Sequence, residues 1–200
     1  MTDQILWFAT RGAGVVTLLL TSAVASLGLL TVTRWQSSGW PRFLTAELHR
    51  TLALTSVVLL AIHVVTAIVD PYTSLGIAAA VVPLASTYRP VAVAFGVVSV
   101  DLFLAVLITS LVRDRIGLRA WRAVHWLAYG SWPLAVLHSV TAGSDAFSPW
   151  LLAVSGASVV AVALALVIRL SVAGSPRSRL AEVAGRSSSL QPMSAKDARR

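Results

Sequence analysis

The chain has 200 residues, of which 56% are hydrophobic and 12% are charged. Soluble domains carry roughly 25% charged residues, so this composition predicts a membrane protein. The formal net charge of +8 does not predict a nucleic-acid partner, because the basic residues lie between and after apolar runs, as membrane topology requires. The sequence contains no cysteine, which excludes disulfides, iron–sulfur clusters and haem attached through a C-x-x-C-H motif.

Five apolar stretches are long enough to cross a bilayer about 30 Å thick. They cover residues 12–33, 46–69, 91–112, 122–142 and 149–170. A secretory signal is the alternative for the first stretch, but its apolar run is longer than a signal core. The sequence therefore predicts an all-α, polytopic membrane bundle of five transmembrane helices.

Two further segments have a different character. Residues 73–86 are too short to span and contain Pro83, which predicts a half-inserted or surface helix. After Ser171 the chain is rich in Ser, Arg, Gly and Pro. We therefore divide it into a transmembrane domain at 1–172 and a disordered, basic cytoplasmic tail at 173–200.

The basic residues also predict the orientation. Of the 16 Lys and Arg residues, only Arg11 and Arg89 lie at one set of helix ends. Because positively charged loops stay in the cytoplasm, we expect a multi-pass protein of the plasma (inner) membrane with its N-terminus outside and its C-terminus in the cytoplasm. The second and fourth helices then run in the same direction.

All four histidines lie in those two helices. His49 and His63 are 14 residues apart and share one helix face, separated by about 21 Å. His125 and His138 are 13 residues apart, which leaves them about 100° or more out of register on a straight helix. We expect Pro133 to kink or rewind the helix and correct this. The parallel helices would pair His49 with His125 and His63 with His138.

Two neutral imidazoles on opposite sides of a flat macrocycle provide what six-coordinate haem iron requires. The four histidines therefore predict two bis-histidine b haems bound by the domain at 1–172. With both axial positions filled, the implied chemistry is electron transfer. Hydrogen bonding between helices, a proton path, or a permease or metal-binding protein without haem are the alternatives.

Four segments of the sequence resemble the ferric-reductase-like transmembrane domain family. They are residues 48–50, 61–67, 119–129 and 132–138, and the resemblance covers about residues 5–145. The family includes the membrane halves of NADPH oxidases and ferric reductases, and the haem-binding subunit of a bacterial methionine sulfoxide reductase system. The resemblance implies about six helices with stacked b haems and an oxidoreductase role.

The oxidases and ferric reductases of this family continue into flavin- and NADPH-binding domains, whereas about 30 mostly polar residues follow the last predicted helix here. We therefore expect electrons from a separate flavoprotein or reductase, a bound flavin, or a membrane quinol, and an acceptor on the outer face. A quinol-linked cytochrome b of another family is the alternative.

Several other side chains are candidates for cofactor contacts. Arg50, Arg119 and Arg122 lie near the inner histidines, where guanidinium groups could pair with haem propionates or serve only as topology charges. Arg11 and Arg89 are the corresponding candidates for the outer haem.

Three more side chains lie within predicted spans. Trp126 and Trp132 lie between the two histidines of the fourth helix and are expected to pack against haem or within the core. Asp101 lies in the middle of the third span, where an unpaired carboxylate is costly, so we expect it to face the bundle.

Overall fold

The computed structural model describes residues 2–31, 42–145 and 147–173, and within these ranges the chain forms seven α-helices and no β-strand. The prediction of an all-α fold is therefore confirmed. Nearly all of the predicted tail lies outside the described residues. The helices are α1 (Thr2–Thr31), α2 (Arg42–Val69), α3 (Ile77–Val81), α4 (Pro90–Leu111), α5 (Arg113–His125), α6 (Ala128–Ala142) and α7 (Pro149–Ala173).

Four of these helices are long and apolar enough to cross a membrane. Their candidate spans are Gln4–Thr31, Phe43–Val69, Pro90–Leu111 and Pro149–Val172. They correspond to the first, second, third and fifth predicted spans. α1 begins about ten residues before the first predicted span and continues through Arg11, which forms an ion pair with Asp145.

The stretch at 122–142, predicted as one transmembrane helix, is divided between α5 and α6. Gly117 interrupts α5 with φ 79° and ψ 160°, a conformation that only glycine adopts at low cost. After His125 the helix is irregular again and forms a turn tighter than that of an α-helix. A crossing at this place would have to combine the end of α5 with α6, so the four candidate spans do not confirm the predicted count of five.

The segment at 73–86 contains one short helix, α3, followed by turns. α3 ends at Val81, before Pro83, so the sequence correctly predicted a helix too short to span. Its apolar side chains Ile77 and Val81 are exposed.

The long helices form two packed pairs. α2 packs along α1, α6 packs along α4, and α7 covers α1. Small buried serines on these helices allow the close approach that helix packing in membranes requires. They are Ser22, Ser56, Ser99, Ser131, Ser155 and Ser158. A central cavity lies between the α1–α2 pair and the α4–α6 pair.

The expectation that Asp101 faces the bundle was wrong. Val100 and Phe103 of α4 line the cavity, whereas the side chain of Asp101 is exposed. One residue advances a helix by about 100°, which carries Asp101 from the cavity side of α4 towards its outer side. The carboxylate therefore lies on the surface of a membrane-spanning helix.

Candidate haem site

All four histidines line the central cavity, which has a volume of about 1070 Å³. Ligand pockets usually enclose roughly 300–1,000 Å³, so this cavity lies at the upper end of that range. Its walls come mainly from α1, α2, α4 and α6.

The cavity brings together the two histidine pairs expected from the sequence. The ring centres of His49 and His125 are 6.5 Å apart, and the ring planes are inclined by 54°. The ring centres of His63 and His138 are 6.1 Å apart, with an inclination of 80°. An imidazole nitrogen lies about 2 Å from a first-row metal, so two imidazoles on opposite sides of one metal have ring centres about 6 Å apart. Both separations match that arrangement.

Three of the imidazoles hydrogen-bond to a main-chain oxygen of the adjacent helix through Nδ1. His49 contacts Val24 O at 3.0 Å, His63 contacts Thr10 O at 2.8 Å, and His138 contacts Ala92 O at 2.8 Å. Since a carbonyl oxygen only accepts, each Nδ1 carries the proton and donates it. The Nε2 lone pair of each ring is then free to bind a metal, and the hydrogen bond fixes the ring orientation.

A glycine follows each of these acceptors four residues later. A Cβ on Gly14 would lie 2.8 Å from His63 Nδ1, and one on Gly96 would lie 2.7 Å from His138 Nδ1. A Cβ on Gly28 would lie 3.3 Å from His49 Cε1. In a helix the carbonyl of residue i faces residue i+4, so the missing side chain there leaves room for the ring. We call this pair of a main-chain oxygen at residue i and a glycine at i+4 the carbonyl–glycine seat.

His125 is held differently. Its buried Nδ1 has no hydrogen-bond partner among the described residues. Its ring instead lies against the indole of Trp121, with ring centres 4.9 Å apart and an inclination of 33°.

A tightened turn adjusts the register between His125 and His138. The N–H groups of Leu127, Tyr129 and Gly130 donate to the carbonyl three residues earlier, at 2.9, 3.1 and 3.0 Å. Such turns advance by about 120° per residue instead of about 100°. This rewinding precedes Pro133, which lies within α6, so it occurs about one turn earlier than the sequence indicated.

Arg11 and Arg89 contact the C-terminal end of α6 and the segment that follows it. Arg11 forms an ion pair with Asp145 and lines the cavity. Arg89 donates to the main-chain oxygens of Thr141 and Gly143 at 2.7 and 3.0 Å. Sequence reasoning missed Asp145, because a single acidic residue in a loop carries no distinguishing pattern.

Arg50, Arg119 and Arg122 are exposed. Arg50 and Arg122 line the cavity, whereas Arg119 does not. The structure therefore favours Arg50 and Arg122 over Arg119 as contacts of a group bound near His49 and His125.

Trp126, just before α6, and Trp132, within α6, both line the cavity. Trp132 donates through Nε1 to Ser22 Oγ at 2.9 Å, which connects α6 to α1. Trp126 is 62% exposed and packs against Tyr129, with ring centres 5.0 Å apart.

Two serines that sequence reasoning did not assign join α4 to α6 beside the cavity. Ser99 Oγ donates to Ser131 O at 2.8 Å, and Ser131 Oγ donates to Ser99 O at 2.9 Å. No sequence pattern distinguishes this pair. The carbonyl–glycine seats on α1, by contrast, could have been found in the sequence. Gly14 and Gly28 repeat the 14-residue spacing of His49 and His63.

The residues present fit haem better than a zinc ion bound by protein alone. The described part of the chain contains no group of three or more His, Cys, Asp or Glu side chains able to hold a metal, and zinc sites use three or four protein ligands. Each histidine pair could instead supply two imidazole nitrogens to a haem iron, whose other ligands would come from the macrocycle.

Fold and site together define a multi-pass, all-helical membrane protein with paired imidazoles in a central cavity. The family model described as "Ferric reductase like transmembrane component" matches residues 13–139, more than half of the chain, so the protein belongs to this family. Searches of curated proteins and of solved structures found no match. The resemblance inferred from the sequence is confirmed, and membership indicates electron transfer in a membrane.

Proposed function

We propose that the protein binds two b haems, one between His49 and His125 and one between His63 and His138, and transfers electrons across the plasma (inner) membrane. The observation that carries this proposal is the separation of the two ring pairs, 6.5 and 6.1 Å, which suits a metal bound between two imidazoles. The family membership supports it independently.

The chain's own residues orient the four imidazoles, two of which would hold each haem. Hydrogen bonds from His49, His63 and His138 to main-chain oxygens fix the ring orientation and increase the basicity of the nitrogen that faces the cavity. Each haem, when bound, supplies a one-electron carrier. With both histidines of a pair bound to its iron, no position would stay open for oxygen or substrate, so the site favours electron transfer.

The two sites lie at different depths. His49 and His63 are separated by about 21 Å along α2, which is most of the thickness of a bilayer about 30 Å thick. With the N-terminus outside, the pair of His49 and His125 lies towards the cytoplasm and the other pair towards the outer face. Electrons then enter from a cytoplasmic flavoprotein or reductase, or from quinol, and leave to an outer acceptor.

Cationic side chains at the two ends of the cavity suit the propionates. We assign this role to Arg50 and Arg122 on the inner side and to Arg11 on the outer side, because all three line the cavity and guanidinium groups pair well with carboxylates. Arg89 supports the outer end through Thr141 and Gly143. Arg119 retains the role of a topology charge.

Haem quantitation on the purified protein, with a reduced-minus-oxidised spectrum, tests the proposal. We expect two haems per chain. His63→Ala and His138→Ala should each remove the outer haem and retain the inner one, whereas His49→Ala and His125→Ala should do the reverse. Val58→Ala is the matched control on α2, because Val58 is exposed and does not line the cavity.

A colourless wild-type protein would contradict the whole proposal. A ratio near one haem per chain would remove one of the two pairs. Loss of the same haem from variants of His63 and His49 would contradict the assignment of the pairs.

A further inference from the structure

The three carbonyl–glycine seats reveal where a fourth seat would lie. On α1 the two acceptor residues, Thr10 and Val24, are 14 residues apart, as are the glycines that follow them. On α4 the seat of His138 is Ala92 with Gly96. The same spacing leads to Val106 and Ser110, which line the same cavity. A serine thus stands where the other seats have glycine.

The hydroxyl of Ser110 uses the acceptor that an imidazole would need. Ser110 Oγ donates to Val106 O at 2.7 Å. At the other three seats the corresponding carbonyl accepts from histidine Nδ1. The Nδ1 of His125 correspondingly has no partner within the described ranges, although it is buried.

The same hydroxyl accepts a hydrogen bond from Trp121. Trp121 Nε1 donates to Ser110 Oγ at 3.2 Å, and the indole lies against the His125 ring with centres 4.9 Å apart. Trp121 and His125 are four residues apart on α5, where side chains of one helix face meet. Two hydrogen bonds thus connect Val106 O through Ser110 to the indole of Trp121. The indole contacts His125 through its ring and does not hydrogen-bond to it.

We propose that Ser110 and Trp121 are positioning residues that hold His125 as an axial ligand in place of a carbonyl–glycine seat. This inference rests on the proposed function, since it concerns a ligand of the inner haem. Its consequence is that, among the contacts of the described residues, only ring packing orients His125. Loss of the indole should then free His125 to leave the iron, whereas the other three ligands remain fixed by their hydrogen bonds.

Binding of carbon monoxide to the dithionite-reduced protein tests this, because iron with two bound histidines has no open position for a ligand. Wild type should bind none. Trp121→Ala should retain its haem but make about half of it reactive, since only one of two sites is affected. Trp121→Phe keeps an aromatic ring against His125 and should stay largely unreactive. Thr109→Ala is the matched control, because Thr109 also bonds to Val106 O, at 3.2 Å, but receives no indole N–H.

A double variant distinguishes positioning from general loss of structure. Ser110→Gly recreates the carbonyl–glycine seat, so Trp121→Ala with Ser110→Gly should return the reactive fraction to the wild-type level by letting His125 donate to Val106 O. Should Trp121→Ala fail to fold, Ser110→Ala removes the indole's acceptor and should raise the reactive fraction by itself. The proposal is overturned if Trp121→Ala and Ser110→Ala remain unreactive, or if Ser110→Gly gives no rescue.

Which haem binds carbon monoxide is determined by combining Trp121→Ala with His138→Ala, a variant expected to retain only the inner haem. If the combined variant no longer binds carbon monoxide, the reactive iron lies at the outer site, and the proposal is overturned. A wild-type protein without two haems would instead contradict the proposed function, so the two failures are distinguishable.

Discussion

A Cβ atom on Gly96 would lie 2.7 Å from Nδ1 of His138, closer than van der Waals contact allows. The imidazole lies there because it donates to Ala92 O, one turn before Gly96. Glycine within a transmembrane helix thus makes room for an imidazole ring as well as for a neighbouring helix. Since the same relation holds at Gly14 and, more loosely, at Gly28, it is directly testable.

Gly96→Ala and Gly14→Ala should each lower the content of the outer haem, because the added methyl displaces His138 or His63 from its acceptor. The inner haem should remain. Gly28→Ala should affect the inner haem less severely, since its Cβ would lie 3.3 Å from His49 Cε1. The number of haems per chain and the haem midpoint potentials are measured for each variant and compared with wild type.

Gly12→Ala is the control for these variants. No atom lies within 4 Å of its added Cβ, and replacing glycine by alanine within a helix stabilises by up to about 1 kcal/mol. It should therefore leave both haems in place and not lower the melting temperature. Full haem content in Gly96→Ala and Gly14→Ala would show that the rings do not need the space.

Pro133→Ala should reduce outer-haem ligation while His49 and His125 retain the inner haem. The substitution restores an N–H that can donate to the carbonyl of Tyr129, four residues earlier, and so favours a regular helix over the tightened turn at residues 124–130. Less rotation then separates His125 from His138. Haem content and the two midpoint potentials report the change, and an unchanged outer haem would mean that the tightened turn forms without the proline.

Ser99→Ala and Ser131→Ala should each destabilise the protein by about 1 kcal/mol, because hydrogen bonds between transmembrane helices contribute about 0.6 kcal/mol on average and up to about 1.7. Each hydroxyl donates to the main chain of the other serine, and the two hydroxyl oxygens lie 3.3 Å apart, so the effect of the double variant should differ from the sum of the single effects. Thermal unfolding of the single and double variants measures this. Thr55→Ala, which removes an exposed hydroxyl bonded within α2, is the control.

Asp101→Leu should increase the amount of folded protein in the membrane. The exposed carboxylate lies in the middle of α4, where a charged side chain costs about 2.5–3.5 kcal/mol on insertion. Asp101→Asn should give a smaller gain, and Leu104→Ala, at another exposed position of α4, should give none. A loss of stability in Asp101→Leu would indicate that the carboxylate has a partner beyond the described residues.

The sequence alone determined the membrane class, four of the long helices and the pairing of histidines. These follow from local properties: the length of apolar runs, the 14-residue spacing of His49 and His63, and the restriction of all four histidines to two segments. Such features depend on helix geometry and on the cost of polar groups in lipid, which do not require knowledge of neighbouring helices.

The contacts of each histidine follow only from the tertiary structure. The seat at Ala92 and Gly96 becomes visible only when α6 lies against α4, since a main-chain oxygen has no signature in the sequence. The same is true of Asp101, which faces outwards because of how α4 is rotated, and of Ser110, whose hydroxyl occupies an acceptor on its own helix. Rotation about a helix axis is set by packing with other helices, and residues far apart in the chain determine it together.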